Sequence, residues 1–285
     1  MTLTQAIKIG SDILNSAGIE NPEFNSRYLL TALLDKNLLY PVSCPHHNIE
    51  NFVFTKFMRL VRLRSKNHPT QYLIGKQWFR ELQIKVGPGC FIPRPETELI
   101  VEQVLTEFSP EDKGIIIEIC TGSGAIAIDL ANNLPQMNIM AMDISARGLI
   151  WAKKNQQNLS AYDNLTLVNA DLLNCIISHH HIRAIVVNPP YIPSEQIKYL
   201  SPEIQNHEPH LAVDGGEAGL EVIEEIICQC ASILPEKASL YMELGHNQHN
   251  AVQKLLLQQG FNDIVFYKDF MQYNRIVRAR INEII

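Results

Sequence analysis

The spacing of apolar positions divides the chain into three stretches. Near the amino terminus, Ala6, Ile7, Ile9, Ile13 and Leu14 recur at the three-to-four interval of a helix. Asn21-Pro22 has the form of a cap followed by a first-turn proline, and predicts a second helix through Tyr28-Leu29-Leu30 and Leu33-Leu34. A third helix is expected from about Ile49 to Lys66, with Phe52, Val53, Phe57, Leu60, Val61 and Leu63 on its apolar side. No strand pattern interrupts these helices, so residues 1–70 read as a small helical domain. From 71 to 92 the punctuation changes. Gly75, Gly87, Pro88 and Gly89 separate the short segments Gln77-Trp78-Phe79 and Leu82-Gln83-Ile84-Lys85-Val86, the signature of a β-hairpin linker. Residues 93–285 then form a larger domain. It begins with Pro93-Arg94-Pro95-Glu96-Thr97-Glu98, which opens a helix into Leu99-Ile100-Val101.

Beyond residue 114, short apolar runs alternate with helical segments: Ile115–Ile119, Ala125–Leu134, Ile139–Met142, Ala146–Asn158, Leu165–Val168, Ala184–Val187, Leu220–Leu234, Leu240–Leu244 and Ala251–Gln259. Such alternation predicts βαβ units and a mostly parallel sheet with helices on both faces. Ile264–Tyr267 and Arg275–Ile281 predict a closing hairpin.

Hydrophobic residues make up 46% of the 285, enough for a packed core. The net charge of −6 argues against a protein that wraps duplex DNA, where a basic footprint is expected. The six cysteines form no CxxC pair and suit neither a zinc site nor a disulfide framework, so they read as free thiols of a cytoplasmic protein. The first residues lack a basic, then apolar, leader, and no run reaches the ~18 apolar residues of a membrane span.

The chemistry concentrates at strand ends. Asn188-Pro189-Pro190-Tyr191 follows the apolar run Ala184–Val187. Each proline fixes its own φ, removes an N–H and biases the preceding residue toward extended backbone. The result is a stiff segment offering carbonyls, one carboxamide and an aromatic face. That set suits a planar group carrying an NH2: a glutamine amide, adenine N6 or cytosine N4. Taken alone, the tetrapeptide reads equally well as a turn that ends a strand. Upstream, Glu118-Ile119-Cys120-Thr121-Gly122-Ser123-Gly124 joins the first strand of the alternation to its helix, where glycines allow close approach of a ligand and the helix start presents free N–H groups. Nineteen residues past Gly124, Asp143 ends the second strand, where an acid can take both ribose hydroxyls. Asp171-Leu172 follows the third strand, with Leu172 placed to line an adenine pocket. A dinucleotide pattern would want glycines at 120, 122 and 125; the chain has Cys120, Gly122 and Ala125. A dinucleotide and S-adenosylmethionine therefore compete as carrier. Glu118 beside a cationic amino-acid tail, and Asn188–Tyr191 facing the reactive end, favour methyl transfer onto nitrogen.

Taken together, Asn188-Pro189-Pro190-Tyr191, Thr121–Gly124, Ile92–Glu98, His207-Glu208-Pro209, Asp214-Gly215-Gly216 and Glu243-Leu244-Gly245 resemble the protein-(glutamine-N5) methyltransferases of the PrmC/HemK type, which act on peptide chain release factors. The resemblance covers nearly the whole chain. It implies a Rossmann-like class I S-adenosylmethionine-dependent methyltransferase domain with a seven-stranded, mostly parallel sheet, joined by the hairpin to a helical substrate-recognition domain. The implied reaction moves a methyl group to the glutamine of a Gly-Gly-Gln loop and leaves S-adenosylhomocysteine. Carried over by position, Cys120 to Gly124 would form the methionine-side loop. Asp143 would hold the ribose, Asp171 and Leu172 the adenine, and Asn188 would touch both cofactor and substrate. Asn188, Pro189, Pro190 and Tyr191 would grip the glutamine, with Asn188, Pro189 and Tyr191 the catalytic set. The family usually has Gly where Cys120 stands, and the expectation here is an ordinary negative φ at that residue. A cytoplasmic monomer is implied, with release factors as partners and neither nucleic acid nor membrane. Ribosomal protein L3 glutamine methyltransferases share the tetrapeptide but typically lack the Pro93–Thr97 string; adenine-N6 DNA methyltransferases share it too, and would need a basic cleft.

Other features are weaker. His179-His180-His181 reads as an exposed loop rather than a metal site, since consecutive residues cannot easily face one ion. Arg59, Arg62, Arg64 and Lys66 read as a solvated helix face or, more sharply, a contact for an acidic partner. Arg94 reads as an ion-pair residue near the domain linker or as a wall of the cofactor pocket.

Overall fold

The computed structural model describes residues 1–159 and 163–282. In chain order the helices are α1 (Leu3–Ser16), α2 (Pro22–Leu33), α3 (Tyr40–Ser43), α4 (Asn51–Arg64), α5 (Thr70–Ile74), α6 (Glu98–Glu107), α7 (Ala125–Asn133), α8 (Ala146–Asn158), α9 (Pro202–His207), α10 (Glu221–Ile233) and α11 (His249–Gln258). The strands are β1 (Lys76–Phe79), β2 (Leu82–Lys85), β3 (Gly114–Ile119), β4 (Met137–Asp143), β5 (Leu165–Asn169), β6 (Ile182–Val187), β7 (Ser239–Glu243), β8 (Asp263–Lys268) and β9 (Asn274–Arg280). The chain divides into two units. One comprises Met1–Lys76 with Ser201–His207, the other Gln77–Leu200 with Glu208 onward. The first boundary falls six residues past the expected 70, because α5 continues the helical run. The short helix α9, which the apolar pattern does not announce, belongs to the same helical unit.

The helical unit starts with a full capping box: Thr2 Oγ1 accepts the Gln5 N–H, and the Gln5 side chain accepts the Thr2 N–H. Leu3, Ala6, Ile7 and Leu14 of α1 pack against Leu29 and Leu30 of α2 and Phe57 and Val61 of α4. Three expectations need correction. Asn21 adopts a left-handed conformation with φ of 49° and makes no side-chain cap, so Pro22 alone sets the start of α2. Arg64 is not part of a solvated basic face. It is 5% exposed, its Nε donates to Asn25 Oδ1 at 2.9 Å, and its Nη2 pairs with Glu203 of α9. Arg59, Arg62 and Lys66 remain exposed, and Phe52, placed on the apolar side by spacing, is exposed under the Lys56 ammonium.

In the second unit, β1 and β2 form the expected hairpin, and seven strands form one sheet in the order β5-β4-β3-β6-β7-β9-β8. β5, β4, β3, β6 and β7 run parallel; β9 is antiparallel to both β7 and β8. Parallel strands covered on both faces read as unbroken apolar runs. Ala184–Val187 and Leu240–Met242 are accordingly buried throughout, with Ile185, Val187, Leu240 and Met242 packed against Ile223, Ile226 and Ile227 of α10 and Val252 and Leu256 of α11. The chain order reverses between β3 and β6, and open sheets of this kind bind ligands beyond the strand ends at that switch point. Among the described residues no helix is long and apolar enough to cross a membrane.

Glu203→Ala would leave the buried Arg64 guanidinium without its counter-charge. Urea unfolding of the full chain is expected to register a loss of about 1–2 kcal/mol, between the values typical of exposed and of buried pairs. Glu23→Ala, which breaks the exposed pair Arg27–Glu23, is expected to cost less than about 0.5 kcal/mol.

Candidate active site

The register of the parallel strands sets the site. Ile119 of β3 lies beside Met142 of β4 on one side and Val187 of β6 on the other, and Val187 lies beside Met242 of β7. The next residues along each strand are Cys120, Asp143, Asn188 and Glu243. The sheet alone therefore brings four of the chemistry-bearing positions to one edge.

The loop after β3 is tightly wound. Cys120, Gly122 and Gly124 all have positive φ, at 60°, 53° and 79°. The ordinary φ expected of Cys120 is thus wrong: the position demands the left-handed region, which costs a non-glycine residue about 1–2 kcal/mol. Cys120 tolerates it because its side chain packs against the core cluster around β3 and β6. A Cβ on Gly124 would lie 3.1 Å from the Ala152 Cβ, so glycine there lets α7 start close against α8. A Cβ on Gly122 would meet nothing within 4 Å, so the loop faces open space at that point. Thr121 and Ser123 are buried. The Thr121 N–H is held by the Met142 carbonyl and the Ser123 carbonyl by Asn155 Nδ2.

Three carboxyls frame this loop. Glu118, 1% exposed, accepts the Thr121 hydroxyl at 2.6 Å, and burial pushes its pKa up to about 8. Asp143 takes the Gly122 N–H on one oxygen and the Ser145 N–H on the other, each at 2.7 Å. Burial raises its pKa against those two bonds. Each Asp143 oxygen keeps a further lone pair for a diol. Asp171 is exposed, and half-buried Leu172 has a φ of 44° in the turn after β5.

Asn188 and Tyr191 sit beyond β6, with Pro189 and Pro190 buried between them. Asn188 Nδ2 donates to Thr97 Oγ1 at 3.0 Å. Tyr191 donates its hydroxyl to Glu243 Oε1 at 3.3 Å, and burial first, then Glu243, raises its pKa. The segment beyond is fixed by two backbone bonds, Ile192 N–H to Val213 O and Gly215 N–H to Ile192 O, each 2.9 Å. A Cβ at Gly215 would come within 2.8 Å of the Pro190 carbonyl oxygen, so only glycine fits there. Spacing did not reveal three residues that build the site's frame: Thr97, Glu208 and Glu243. They stand inside the Pro93–Thr97, His207–Pro209 and Glu243–Gly245 strings, so the signal was present without a role attached. Arg94 pairs with Glu208 and lies over the Phe91 ring, 4.8 Å from its centroid. The three histidines at 179–181 are exposed, His179 stacked on His180 and His181 tilted against both, and no group of metal-binding side chains occurs among the described residues.

A glycine loop opening on free space, a buried acid behind it, a strand-end carboxylate with spare lone pairs and an aliphatic side chain on the next turn fit S-adenosylmethionine and its adenosine. Fold and site together define a class I S-adenosylmethionine-dependent methyltransferase. Its sheet is similar to that of a methyltransferase from Pyrococcus furiosus, with a TM-score of 0.52 and 16% identity, over 72% of this chain and 91% of that one. Residues 5–75 match the family description PrmC N-terminal domain, and residues 95–215 match Methyltransferase small domain. The chain is 37% identical over 220 residues to the release factor glutamine methyltransferase of Thermodesulfovibrio yellowstonii, covering 76% of this chain and 78% of that one. It is 31% identical over 281 residues to that of Clostridium botulinum, covering 98% of this chain and 99% of the other. The chain belongs to the release factor glutamine methyltransferase family.

Because Cys120 holds a left-handed backbone, Cys120→Gly is expected to raise the unfolding free energy by about 1 kcal/mol, the relieved strain outweighing the lost side-chain contact. Cys120→Val puts a β-branched side chain in the same region and is expected to lower it by about 2 kcal/mol or more. Thermal melting of the two variants beside the parent decides this.

Proposed function

We propose that this chain transfers the methyl group of S-adenosylmethionine to the side-chain amide nitrogen of the glutamine in the Gly-Gly-Gln loop of translation release factors. The observation that carries this is the side-by-side placement of the glycine loop after β3 and Asn188 after β6 at the switch point, in a chain of this family. When bound, the cofactor supplies an electrophilic methyl on a sulfonium.

The remaining work falls to the protein's own residues. Glu118 and the loop Cys120, Thr121, Gly122, Ser123 and Gly124 would hold the methionine end of the cofactor, Asp143 the ribose, and Asp171 and Leu172 the adenine. An amide nitrogen is a poor nucleophile because its lone pair is delocalised into the carbonyl. The Asn188 carboxamide oxygen and the Pro189 carbonyl would accept its two N–H bonds, orient it and stabilise positive charge developing on it. Fixed dipoles and positioning of this kind supply several kcal/mol. Pro189 and Pro190 keep those acceptors stiff. Tyr191, tied through its hydroxyl to Glu243, would present its ring beside the amide. The helical unit, with Arg59 and Arg62 exposed on α4 and Lys66 exposed in the turn after it, would recognise the protein substrate. We further propose a cytoplasmic monomer that binds neither nucleic acid nor membrane.

With labelled cofactor and three acceptors, release factor, ribosomal protein L3 and DNA, label is expected in the release factor; label in DNA alone would overturn the assignment. In the same assay Asn188→Ala is expected to lower turnover at least about 100-fold, the scale of one lost electrostatic contact, with a smaller effect on cofactor affinity.

Glu118 gives a pH signature. Its carboxyl is neutral below about 8 in the free protein, and the cofactor's cationic tail favours its ionised form. Binding is therefore expected to release about one proton near pH 7, and to tighten as pH rises toward 8. Calorimetry in buffers of different ionisation heat measures the proton, and Glu118→Gln is expected to abolish its release.

A further inference from the structure

Three strings in the sequence take no direct part in gripping cofactor or amide: Pro93–Thr97, His207–Pro209 and Glu243–Gly245. The structure links all three to Asn188. Thr97 lies on the turn Pro95–Thr97 that precedes α6 and is 4% exposed. Its hydroxyl donates to Glu243 Oε2 at 2.7 Å and accepts from Asn188 Nδ2 at 3.0 Å. Glu243 ends β7, is 1% exposed, and takes the Tyr191 hydroxyl on its other oxygen. Glu208 accepts the Ile92 N–H at 3.1 Å and pairs with Arg94, which braces the string that carries Thr97.

The sense of these bonds matters more than their number. A hydroxyl has one proton to give. Thr97 gives it to a carboxylate, so toward Asn188 its oxygen can only accept. The Asn188 carboxamide must then turn its NH2 to Thr97, and its oxygen faces the other way. That oxygen is the acceptor a substrate NH2 requires. Were the Thr97 proton turned toward Asn188, the carboxamide would flip and meet a glutamine amide donor to donor. Resting on the glutamine methylation proposed above, we infer that Glu243, acting through Thr97, is the positioning group that fixes the Asn188 carboxamide with its oxygen toward the substrate.

The ionisation of Glu243 enters the same chain of bonds. The titratable and charged groups facing it are Tyr191 from the loop after β6, Arg275 from β9 and Glu96 from the turn before α6. Burial, opposed by the Thr97 bond, by Arg275 and by Tyr191, raises the Glu243 carboxyl to about 7. The ionised carboxylate accepts from both hydroxyls. A neutral one must donate its own proton to a partner, and the fixed sense of the chain is lost. Turnover on the release factor therefore falls as pH drops through about 7.

The test uses the full chain, an intact release factor and labelled cofactor. Thr97→Val keeps the shape and removes the hydroxyl. Its kcat is expected to fall about 100-fold, the scale of a misplaced reacting group, while the KM for release factor and the cofactor Kd by calorimetry stay near those of the parent and the melting temperature falls only by the cost of the unpaired Glu243 and Asn188 atoms. Thr97→Ser restores the bonds and is expected to return kcat to within about threefold of the parent. The acid limb persists in Thr97→Ser and disappears in Thr97→Val and in Glu243→Gln. The side-chain NH2 resonances of Asn188 shift in Thr97→Val and return in Thr97→Ser, a readout independent of turnover. Should Thr97→Val melt early, Thr97→Ser and Glu243→Gln carry the test through the acid limb alone. Thr97→Val turning over like the parent, Thr97→Ser failing as badly as Thr97→Val, or a flat profile for the parent from pH 6 to 8 would each overturn the inference. Failure of the glutamine assignment shows differently: the parent enzyme then puts no label on the release factor.

Discussion

Burial of the central parallel strands on both faces is the constraint from which the rest follows. Ile116, Ile117 and Ile119 of β3, Ala184–Val187 of β6 and Leu240–Met242 of β7 have almost no contact with solvent. A sheet so covered can expose chemistry only where its strands stop. The parallel register stops β3, β4, β6 and β7 at the same level, so that Cys120, Asp143, Asn188 and Glu243 fall side by side without any further design. Polar groups that lie behind this edge must be paired, and they are. Glu118 takes Thr121, and Glu243 takes Thr97 and Tyr191. The hydrogen bonds of the site are the price of polarity at the rim of an apolar slab.

Most of the fold was legible because the same burial writes itself into the sequence. Strands covered on both faces become unbroken apolar runs, and α8 was read end to end as Ala146–Asn158, with the Ser145 cap at its start found only in the structure. The strand-end residues were legible for a related reason: a Gly-rich turn, an acid and a Pro-Pro segment each interrupt an apolar run at its carboxyl end. What stayed hidden depends on groups far apart in the chain. Arg64 was assigned to solvent by its charge, and its burial rests on Asn25, 39 residues away, and on the counter-charge of Glu203, 139 residues away. Thr97 and Glu243 are separated by 146 residues. No local pattern assigns a hydroxyl proton to one partner rather than another. The φ of Cys120 was misread because a side chain does not announce its backbone, and the residue a turn requires is visible only when glycine fills it.

Asn188–Tyr191 by itself does not choose among planar NH2 groups. Glutamine, adenine and cytosine all offer two N–H bonds in a plane, and a carboxamide oxygen with a neighbouring carbonyl accepts either kind. The choice comes from outside the tetrapeptide. The buried carboxyls that frame it and a chain charge of −6 suit a polyanionic duplex poorly. Residues 5–75 of the helical unit match the PrmC N-terminal domain, and the similarity to relatives named for release factors runs through that unit.

The site also sets its own chemistry against the stability of the fold. Glu118 and Glu243 are pushed up to about 8 and about 7 by burial, above the ordinary 4.5 of a glutamate. A folded-state value above the unfolded one means that the folded chain keeps a proton the unfolded chain has already lost. The stability linked to that proton is complete below about 4.5 and drains away as pH rises through 7 and then 8. The proposed function asks for the opposite state in both residues. In the roles proposed for them, Glu118 is ionised to attract a cationic tail and Glu243 is ionised to fix the sense of the Thr97–Asn188 bonds. The hydroxyls of Thr121, Thr97 and Tyr191 each favour the charged form and so narrow the gap without closing it. What burial withholds at Glu118, the ligand's own charge can return on binding. Glu243 receives no charge from the ligand, and its ionised form rests on fixed partners, the hydroxyls of Thr97 and Tyr191 and the charge of Arg275.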